Sequence, residues 1–510
     1  MKIITKTDIL KTDILVIGGG LTGKICAHNA AKSCDVILLS DGGGASPYVH
    51  GINVVLHKDD SLSSFYNDTL KSGRYQNDKA LVSALVNGSC AVRDEYDFDK
   101  ENGRYVLLKP LGSSYPRVAS IKGRTGVNIL NSITENFKHL THPRAMKLAV
   151  KENKVCGAYC YDTKSRKWFF IGAKCVVIAS GGFGALFAFS TNTSDIGGDG
   201  AAMAFEAGAK MCDMEFIQFE PTAAVYPKEI LGKSIITTML YEGAVLTNKN
   251  HERFMCEQVN KDELSKGIYE EILNGNAAEH GGVYFDMTKV FKSVLQTKYK
   301  DYYNRYKNVG IDISKTPAEI APAAHTTLGG IKINKKCMTN IDGLFACGEA
   351  AGGLHGANRL GGNAGLETLV FGKICADTAV SYAKDAKLEN FKAHLPKNDD
   401  LSSPNEFLDN ILKNAVMSGL GVIRNESSIK RALGDICHVI EKTKNHGFNY
   451  YDFKLFNNAV CIKLALEAAL ERKQSIGCHI RSDSVCENEK YTVTQIKDGE
   501  KIITKKERLA

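Results

Sequence analysis

Arg359 stands out among the residues that could do chemistry, because its neighbours are almost all small or aliphatic. It lies in LHGANRLGGNAGLETLVFG, which spans residues 354–372. A guanidinium keeps its proton at ordinary pH, so burying one is costly unless an anion or several acceptors meet it. Two partners fit: the carboxylate of Glu367 in the same stretch, or a carboxylate on a bound substrate. The stretch therefore predicts an anion at Arg359 and leaves its source open.

A glycine-rich turn near the amino terminus is the second chemical motif. TDILVI at 12–17 is followed by GGGLTG, then by the helix-like KICAHNAAK, and then by the apolar run DVILL at 35–39. This order of strand, glycine turn, helix and strand is typical of a site where backbone amides approach a pyrophosphate. We expect nucleotide binding here. The residues predicted to contact the nucleotide are Gly18, Gly20, Leu21, Thr22 and Gly23.

The end of the second predicted strand departs from the usual dinucleotide pattern. An acid often stands at the tip of this strand to hold a ribose, but here the strand ends in Ser40 and Asp41. Ser40 can still hydrogen-bond a hydroxyl, and Asp41 can be the acid displaced by one position. We include both among the cofactor-binding residues; the alternative is that both are turn residues.

Three extended segments between 153 and 180 lead to another glycine turn. VCGAYCYD, KWFFIGA and KCVVIAS are predicted as a small antiparallel meander whose last strand ends at GGFG, residues 181–184. Glycine after a strand again indicates close approach to a ligand, and GDGAAMAFEAGA at 198–209 then begins a helix of small residues. The predicted ligand contacts here are Ser180, Gly181, Gly182 and Asp199.

A change in composition along the chain predicts three domains. At 510 residues the chain is too long for one ordinary domain. Residues 210–321 are richer in aromatics, methionine and charge, and they interrupt an alternation of strands and helices that resumes at GLFACGEAAGG. The predicted domains are a nucleotide-binding domain (1–209 and 322–387), an inserted capping substrate domain (210–321) and a C-terminal helical domain (400–510). Within the last part, the pattern predicts a linker at 388–407, helices at 405–417, 428–444 and 455–473, and a hairpin around residues 498–499.

The overall composition argues against several classes of partner. The net charge of +8 comes from 65 basic and 57 acidic residues spread along the chain, so we expect no nucleic-acid partner. The sequence shows neither an export signal nor an apolar stretch of about 18 residues, which predicts a cytoplasmic protein without a membrane span. Fifteen dispersed cysteines without a CxxC motif predict buried free thiols, and we expect no metal or iron–sulfur site in this chain.

Several of these motifs, taken in order, resemble those of the fumarate reductase, succinate dehydrogenase and L-aspartate oxidase family of flavoproteins. Further landmarks are DMEFIQFEPT (213–222), ERFM (252–255), HTTLGGI (325–331) and RKQSIGCHIRSD (472–483). The resemblance implies an α/β fold with a Rossmann-like FAD-binding domain, an inserted α+β capping domain and a C-terminal helical domain. It also implies an extended FAD, its pyrophosphate over the first glycine turn, and a ribose held by Glu349 of CGEA. The remaining cofactor residues that it implies are Gly51, Ile52, Asn53, Gly348, Asn363, Ala364 and Leu366.

The resemblance also bears on how the flavin is held. In the covalently flavinylated members, a histidine lies a few residues ahead of the turn that matches GIN at 51–53. Gly44 occupies that place in DGGGASPYVHGIN. We therefore expect a noncovalent FAD, with His50, which is too near the turn to match, as the exception left open.

The same resemblance favours the substrate over Glu367 as the partner of Arg359. In the family, the arginine of HGANR holds one carboxylate of a C4 dicarboxylate, assisted by the histidine of the HxTxGG element. These residues are Arg359 and His325 here. A guanidinium fork suits a carboxylate, and such charge-assisted bonds are strong in a water-poor pocket.

Three departures from the family pattern lie at the other end of the expected pocket. Glu220 of FQFEPT stands where relatives keep a histidine, and a carboxylate does not accommodate another carboxylate unless a proton or a cation intervenes. Lys261, with Lys266 as a competitor, takes the place of the arginine that moves the substrate proton. The family's Thr-Glu pair is matched only by Thr237 or Thr238 with Glu242. We infer a small carboxylate substrate whose far end is neutral or cationic; the predicted catalytic residues are Arg359, His325, Lys261, Glu220 and Thr237.

These observations give one leading hypothesis and two alternatives. The leading one is an FAD-dependent oxidoreductase that exchanges hydride between flavin N5 and a carbon next to a small carboxylate, in either direction. The first alternative is amino acid oxidation of the L-aspartate oxidase kind, with Glu220 facing the ammonium. The second is a flavin electron-transfer subunit that works with an iron–sulfur partner, because this chain lacks iron–sulfur ligand motifs.

Overall fold

The computed structural model describes residues 9–396, 403–486 and 490–509. It begins with the predicted unit of strand, glycine turn, helix and strand. Strand β1 (Ile9–Ile17) leads through the glycines into helix α1 (Leu21–Ala30), and β2 (Val36–Leu39) follows and pairs with β1 in parallel. From Ile14 onward the apolar residues of both strands are buried, as expected for a parallel sheet that is covered on both faces, whereas Ile9 at the start of β1 is exposed.

The next segment contributes short strands, four helices and a long antiparallel meander. Its elements are β3 (Ile52–Asn53), α2 (Leu62–Ser72), α3 (Lys79–Glu95), β4 (Lys100–Glu101), β5 (Arg104–Tyr105), β6 (Leu107–Leu108), β7 (Val118–Ala119), α4 (Thr125–Ser132), β8 (Lys138–Leu140), β9 (Pro143–Lys151), β10 (Lys154–Asp162), β11 (Lys167–Ile178) and α5 (Asp199–Glu206). Side-chain caps fix the starts of two of these helices. Ser61 accepts from the amide of Ser64 at α2, and Asp78 accepts from the amides of Ala80 and Leu81 at α3.

The prediction of three separate strands between 153 and 180 was wrong in one respect. KWFFIGA and KCVVIAS form a single strand, β11, and the third strand of the meander is β9, which precedes β10. The Ala-Lys link between the two predicted segments stays extended because residues 170–178 of β11 pair with β1, from Phe170 opposite Ile9 to Ile178 opposite Ile17.

The middle of the chain forms a separate antiparallel sheet with its own core. After β12 (Met211–Cys212), which belongs to another sheet, the elements are β13 (Ile217–Ala224), β14 (Val245–Thr247), α6 (Lys261–Glu271), β15 (Val283–Asp286), α7 (Lys292–Gln296), α8 (Lys300–Lys307) and β16 (Ala318–Thr327). Four of these strands pair in the order β13-β16-β15-β14. Apolar side chains such as Leu246, Ile268, Phe285 and Ile320 pack into a core distinct from that of the main sheet. We call this unit the cap; its predicted limits of 210–321 stay a prediction.

The chain then returns to the main sheet. The elements are β17 (Gly330–Lys332), β18 (Leu344–Ala346), β19 (Ala351–Gly352) and α9 (Asn363–Asp385). Strand β18 pairs in parallel with the end of β11, which completes a seven-stranded sheet whose main path is β8-β2-β1-β11-β10-β9. Helix α9 packs on α1 and α3, so the late segment closes the domain that the first strands began.

The last part of the chain is a three-helix bundle followed by a hairpin, as the pattern predicted. Its elements are α10 (Glu406–Leu420), β20 (Ile423–Arg424), α11 (Glu426–Thr443), α12 (Tyr450–Glu471), β21 (Ile480–Arg481), β22 (Tyr491–Asp498) and β23 (Lys501–Arg508). Helix α12 begins five residues before the predicted start because the side chain of Asn449 accepts from the amide of Asp452 and caps it there. The hairpin joins a second sheet in the order β19-β17-β12-β22-β23.

Two further expectations concern the linker and the membrane. The predicted linker at 388–407 contains no helix or strand at 388–396 and 403–405, but its last two residues already belong to α10; residues 397–402 lie outside the described residues. Along the described ranges, no helix is both long enough and apolar enough to cross a bilayer.

Candidate active site

One cavity of about 640 Å³ runs from the glycine turn at the start of α1 to the cap. We call the part of the chain built on the seven-stranded sheet the main domain. The cavity wall combines residues of the main domain with the cap segment 232–238, helix α8 and the start of α6. Seventeen of the predicted site residues line this cavity. They are Gly18, Gly20, Leu21, Thr22, Ser40, Asp41, Gly51, Ser180, Gly181, Asp199, Glu220, Thr237, Lys261, His325, Glu349, Arg359 and Ala364.

The glycine turn brings backbone amides to the cavity wall. Gly18 has φ +120°, and a Cβ there would lie 2.2 Å from the carbonyl oxygen of Ala179; a Cβ on Gly23 would lie 1.8 Å from the carbonyl oxygen of Gly18. Only glycine therefore lets α1 start directly against the sheet. Gly20 provides no side-chain cap, and the first turn carries no acid. The start of α1 is thus suited to a phosphate.

Arg144, which the sequence did not single out, organises the acids on this side of the cavity. Its guanidinium donates from Nη1 to Asp199 (2.8 Å) and from Nε to Asp41 (3.2 Å). Burial disfavours its charge, but the two carboxylates outweigh that and raise the pKa of Arg144 above its ordinary value. Asp199 Oδ1 is buried and has no hydrogen-bond partner among the residues that the structure describes. That free oxygen is an acceptor for a ligand hydroxyl.

Ser40 and Glu349 also reach this side of the cavity. Ser40 Oγ lies 2.7 Å from His139 Nε2, so its hydroxyl is already engaged. Glu349 Oε1 accepts from the backbone amide of Thr327 (2.9 Å), which leaves Oε2 for a ligand. Burial raises the pKa of Glu349 to about 7. The backbone amides at the start of α1, together with these acceptors, fit the FAD that the motifs imply.

Seven predicted cofactor residues lie behind the cavity wall instead of on it. They are Gly23, Ile52, Asn53, Gly182, Gly348, Asn363 and Leu366. Asn53 shows what they do there: its Nδ2 donates to the carbonyl of Gly361 (2.7 Å) and to Asn363 Oδ1 (2.6 Å). This bridge fixes the loop before α9 against β3, so these residues shape the wall.

Arg359 lies at the cavity wall, and its surroundings bear on the anionic partner that its sequence context predicted. The residue is only 6% exposed, yet its Nε has no acceptor, and no carboxylate lies within 4.0 Å of its guanidinium in the described part of the chain. Glu367, the internal partner considered above, instead bonds His355 at 2.9 Å. Burial lowers the pKa of Arg359 from its ordinary value. The cavity is therefore the remaining source of an anion for this guanidinium.

The backbone of Arg359 is held by the cap side of the site. Gln218 of β13 donates from Nε2 to the carbonyl of Arg359 (3.0 Å) and to Asn358 Oδ1 (2.8 Å), and both contacts are buried. The FQFEPT strand thus fixes the loop that presents the guanidinium to the cavity.

His325 lies in the same cavity and is held as a neutral ring. Its Nδ1 is 2.8 Å from Thr191 Oγ1, and its Nε2 is 3.8 Å from Glu220 Oε2. Burial, reinforced by the charges of Lys261 and Arg359, lowers the pKa of His325 well below its ordinary value. A hydroxyl that donates to Nδ1 leaves the proton on Nε2, where it can be donated to a ligand.

The two departures at Glu220 and Lys261 form one unit. Lys261, the first residue of α6, makes an ion pair with Glu220 Oε2, and Thr222 donates to Oε1 at 3.2 Å. Lys266 instead pairs with Glu270, and both of those side chains are exposed to solvent. Of the two candidate lysines, Lys261 is therefore the one at the cavity. Because Glu220 already has a cation, it does not by itself require one from a substrate.

The match proposed for the family's Thr-Glu pair is only partly assembled. Thr237 and Thr238 both line the cavity, and Thr238 Oγ1 lies 3.4 Å from the hydroxyl of Tyr299. Glu242 does not line it and is ion-paired with Lys298 at 2.5 Å. Thr237 and Thr238 thus line the cavity without the glutamate that completes the family's pair.

Arg305 is a further cavity residue that sequence reasoning missed. It lies on α8 and donates from Nη1 to the carbonyl of Ser234 (2.7 Å), and its guanidinium lies over the ring of Tyr302, 5.3 Å from the centroid. Nothing in its local sequence, KDYYNRYKN, distinguishes it from a solvated helix arginine. Arg305 reaches the cavity only because the tertiary fold brings α8 of the cap next to the main domain. Among the residues described, no group of histidines, cysteines and acids is arranged to hold a metal ion.

Comparisons with known proteins bear on the family and on the fold. The FAD binding domain family matches residues 13–364. An uncharacterized FAD-dependent oxidoreductase of Methanocaldococcus jannaschii is 34% identical over 97% of each chain. One subunit of the fumarate reductase (CoM/CoB) of Methanothermobacter marburgensis is 30% identical, covering 94% of this chain and 95% of its own. A solved structure of an E. coli quinol fumarate reductase variant superposes with a TM-score of 0.87 at 22% identity, over 98% of this chain and 97% of that one, which shows a shared mixed α/β fold.

Proposed function

Because this chain belongs to the FAD binding domain family and is an FAD-dependent oxidoreductase related to fumarate reductase, we propose that it reduces the double bond of a small 2-enoate. The amides at the start of α1 hold the pyrophosphate, and Glu349 and Asp199 accept hydroxyls of the nucleotide. When bound, FAD supplies hydride transfer from N5. The remaining chemistry belongs to the residues at the cap side of the cavity.

Arg359 carries this proposal. A buried guanidinium that has no carboxylate partner among the described residues and faces a cavity is suited to grip an anion that comes and goes. Its two terminal nitrogens match a carboxylate, and the neutral ring of His325 adds a donor beside it. Together they hold the carboxylate and polarise the conjugated double bond. That polarisation makes the β-carbon a better hydride acceptor.

Lys261 is the proposed proton donor to the neighbouring carbon. Its ion pair with Glu220 holds the side chain at the cavity as an ammonium, which is the form that can give up a proton. This pairing favours reduction over oxidation, because removing a substrate proton would need the neutral amine. Glu220 positions Lys261 and is proposed to have no direct contact with the substrate.

The ion pair also bears on the alternative of amino acid oxidation. In that alternative, Glu220 binds the ammonium group of the substrate. In the structure, Glu220 is already paired with the ammonium of Lys261. We therefore favour the reductase.

We also propose that electrons reach the flavin from another protein, iron–sulfur or otherwise. The relative in Methanothermobacter marburgensis is named as one subunit of its fumarate reductase, which supports a multi-protein arrangement. The flavin is proposed to be noncovalent, since Gly44 offers no side chain at the position of the family's attachment histidine. Denaturing the purified protein should release all the flavin into solution; flavin that stays with the chain would point to His50. A cytoplasmic location stays a prediction.

The proposal is tested by reducing the FAD-loaded protein without oxygen and mixing it with a panel of 2-enoates. At least one should restore the absorbance of oxidised flavin. Lys261→Gln should slow that step about 100-fold or more, while the matched surface variant Lys266→Gln should leave it unchanged. No reoxidation by any 2-enoate, together with flavin bleaching by an amino acid, would contradict the proposal.

A further inference from the structure

The loop between α2 and α3 packs directly against the loop that presents Arg359. The carbonyl of Gly73 accepts a hydrogen bond from the amide of Ala357 at 3.0 Å. The approach is close, because a Cβ on Gly356 would lie 2.5 Å from the carbonyl oxygen of Gly73. The two loops therefore form one packed unit of the main domain.

Arg74 extends from this loop to the first turn of α6 in the cap. Its Nε and Nη2 donate to Asp262 Oδ2 at 3.0 and 2.6 Å, and Nη2 also donates to Glu263 Oε1 at 2.5 Å. Arg74 and Tyr75 both have left-handed backbones, with φ +55° and +58°, a conformation that is uncommon outside glycine. Such strain persists where the surrounding contacts offset it, and the contact made by Arg74 is with α6.

The start of α6 depends on this contact. Its N-cap residue, Asn260, makes no side-chain hydrogen bond to the helix. Asp262 is only 5% exposed, and Arg74 is the one cation within 4.0 Å of its carboxylate among the residues that the structure describes. Burial raises the pKa of Asp262, and the charge of Arg74 opposes that rise. Without Arg74, a buried carboxylate would have no cation, and the first turn of α6 would move toward solvent.

Lys261, the proposed proton donor, belongs to this same turn. It is the first residue of α6 and directly precedes Asp262. Its ion pair with Glu220 fixes the charged end of its side chain, whereas the contact of Arg74 with Asp262 fixes the backbone from which that side chain extends. A shift of the first turn would therefore move the ammonium relative to the cavity.

We propose that Arg74 is a positioning residue for the proposed reaction, because it fixes the start of α6 so that Lys261 stands at the right distance from a substrate held by Arg359. The inference rests on the proposed function, in which Lys261 gives a proton to the substrate. Arg74 does not line the cavity, so its effect passes through Asp262. Since its loop packs on the Arg359 loop, Arg74 relates the proton donor of the cap to the anion site of the main domain.

Stopped-flow reoxidation of the reduced, FAD-loaded full chain tests this inference. The reduced protein is mixed without oxygen with fumarate, monomethyl fumarate, crotonate or acrylate, and the compound that reoxidises the wild type fastest is kept. Arg74→Gln should lower the maximal rate about 10- to 100-fold, because a displacement of about 1 Å is enough to impair the reaction. The concentration that gives half the maximal rate should stay within about 2-fold, since Arg359 still holds the carboxylate.

Two further readouts separate positioning from loss of structure. Replacing H2O by D2O should slow Arg74→Gln by a larger factor than the wild type, because proton transfer becomes the slow step. A partly unfolded preparation would instead give a smaller absorbance change with an unchanged rate constant and isotope effect. Arg74→Lys keeps the charge but not the geometry of the guanidinium, so its rate should lie between those of Arg74→Gln and the wild type.

A second substitution removes the same contact from the cap side. Asp262→Asn should reproduce the effect of Arg74→Gln, and the double variant should be no slower than the slower single variant. Lys71→Gln, which removes an exposed cation of α2, is the matched control and should keep the wild-type rate.

Three results would overturn the inference. They are a wild-type rate or isotope effect in Arg74→Gln, a rise in the half-saturating concentration alone, and single effects that multiply in the double variant. Should Arg74→Gln not fold, Arg74→Lys decides, and a wild-type rate in it overturns the inference.

Failure of the proposed function looks different. In that case the wild type is reoxidised by none of the four compounds, and the inference falls with it. A wild type that is reoxidised, together with an Arg74→Gln variant that matches it, contradicts the inference alone.

Discussion

Arg117 and Arg359 are both buried arginines in this molecule, and their surroundings are opposite. Arg117 is fully buried and donates Nε and Nη2 to Asp60, both at 2.7 Å, and Nη1 to Asp68 and to Ser113. Its guanidinium also lies over the ring of Phe65. Arg359 is nearly as buried and has none of these contacts in the described part of the chain.

The difference separates a structural charge from a functional one. Burying a guanidinium is tolerated when the fold supplies all of its acceptors, and such a group then holds the fold together. A guanidinium without acceptors raises the free energy of the folded state, and it persists where a ligand supplies the missing anion. The comparison predicts that substitutions at the two positions have opposite signatures in stability and in activity.

The largest effect is expected from breaking the structural site. Arg117→Met should leave Asp60 and Asp68 buried without a cation and lower the free energy of unfolding by about 3–5 kcal/mol. Chemical denaturation of the purified protein measures this. Arg93→Met, which removes an exposed pair with Asp94, is the control and should change stability by less than about 1 kcal/mol. If Arg117→Met lowers the free energy of unfolding by no more than Arg93→Met does, Arg117 does not stabilise the fold.

The functional half is tested at Arg359. Arg359→Lys should reduce kcat/KM for the best 2-enoate by the equivalent of about 2–4 kcal/mol, because an ammonium cannot grip a carboxylate through two parallel bonds. Its unfolding free energy should stay within about 1 kcal/mol of the wild type, since no protein partner is lost. Steady-state kinetics and denaturation on the same preparation give both values. Large destabilisation with intact kinetics would reverse the assignment.

A smaller effect is expected at the ion pair that replaces the family's histidine and arginine. Glu220→Gln should lower kcat by the equivalent of about 1–3 kcal/mol with little change in KM, because Lys261 loses the partner that holds it at the cavity. Glu270→Gln, which releases the exposed Lys266, should leave both constants unchanged. A rise in KM alone would mean that Glu220 contacts the substrate directly.

The smallest effect concerns pH. The pKa of His325 is lowered well below its ordinary value of 6.5, so the folded protein keeps this ring neutral where an unfolded chain protonates it. Stability tied to His325 is therefore fully present above pH 6.5 and is lost as the pH falls below it. The difference in unfolding free energy between wild type and His325→Gln should be constant above that pH and should fall below it. A plot of kcat/KM that inflects near pH 6.5, and no longer does so in His325→Gln, would show instead that the ring titrates normally.

Local patterns in the sequence were sufficient to predict most helices and strands and the part of the site that contains Arg359. The glycine turn, the bundle helices and the hairpin follow from periodicity and turn residues, which act over a few positions. Arg359 was recognisable because a charge among small residues needs a partner whatever the fold. The continuous strand β11 was missed since its pairing with β1 joins residues about 160 positions apart, beyond the reach of a local pattern.

Partners that meet only through the tertiary fold could not be predicted. Glu220 and Lys261 are 41 residues apart, and read separately they indicated a repulsive carboxylate and a lysine that fits equally well at the surface. Together they form a neutral pair, so Glu220 does not require a neutral or cationic group at the far end of the substrate. Arg144 and Arg305 carry no distinguishing local pattern, and their roles depend on acids or an open cavity contributed by distant segments.

The central claim is that a substrate carboxylate supplies the partner that Arg359 lacks, and a cycle of ligand and protein changes tests it most directly. The affinities of monomethyl fumarate and of the corresponding primary amide are measured for the oxidised wild type and for Arg359→Gln. The account predicts that exchanging carboxylate for amide weakens binding to the wild type by about 1.5–3 kcal/mol and has almost no effect in the variant. An equal loss of affinity in both proteins would show that the substrate carboxylate does not bind Arg359, which would contradict the proposed mechanism.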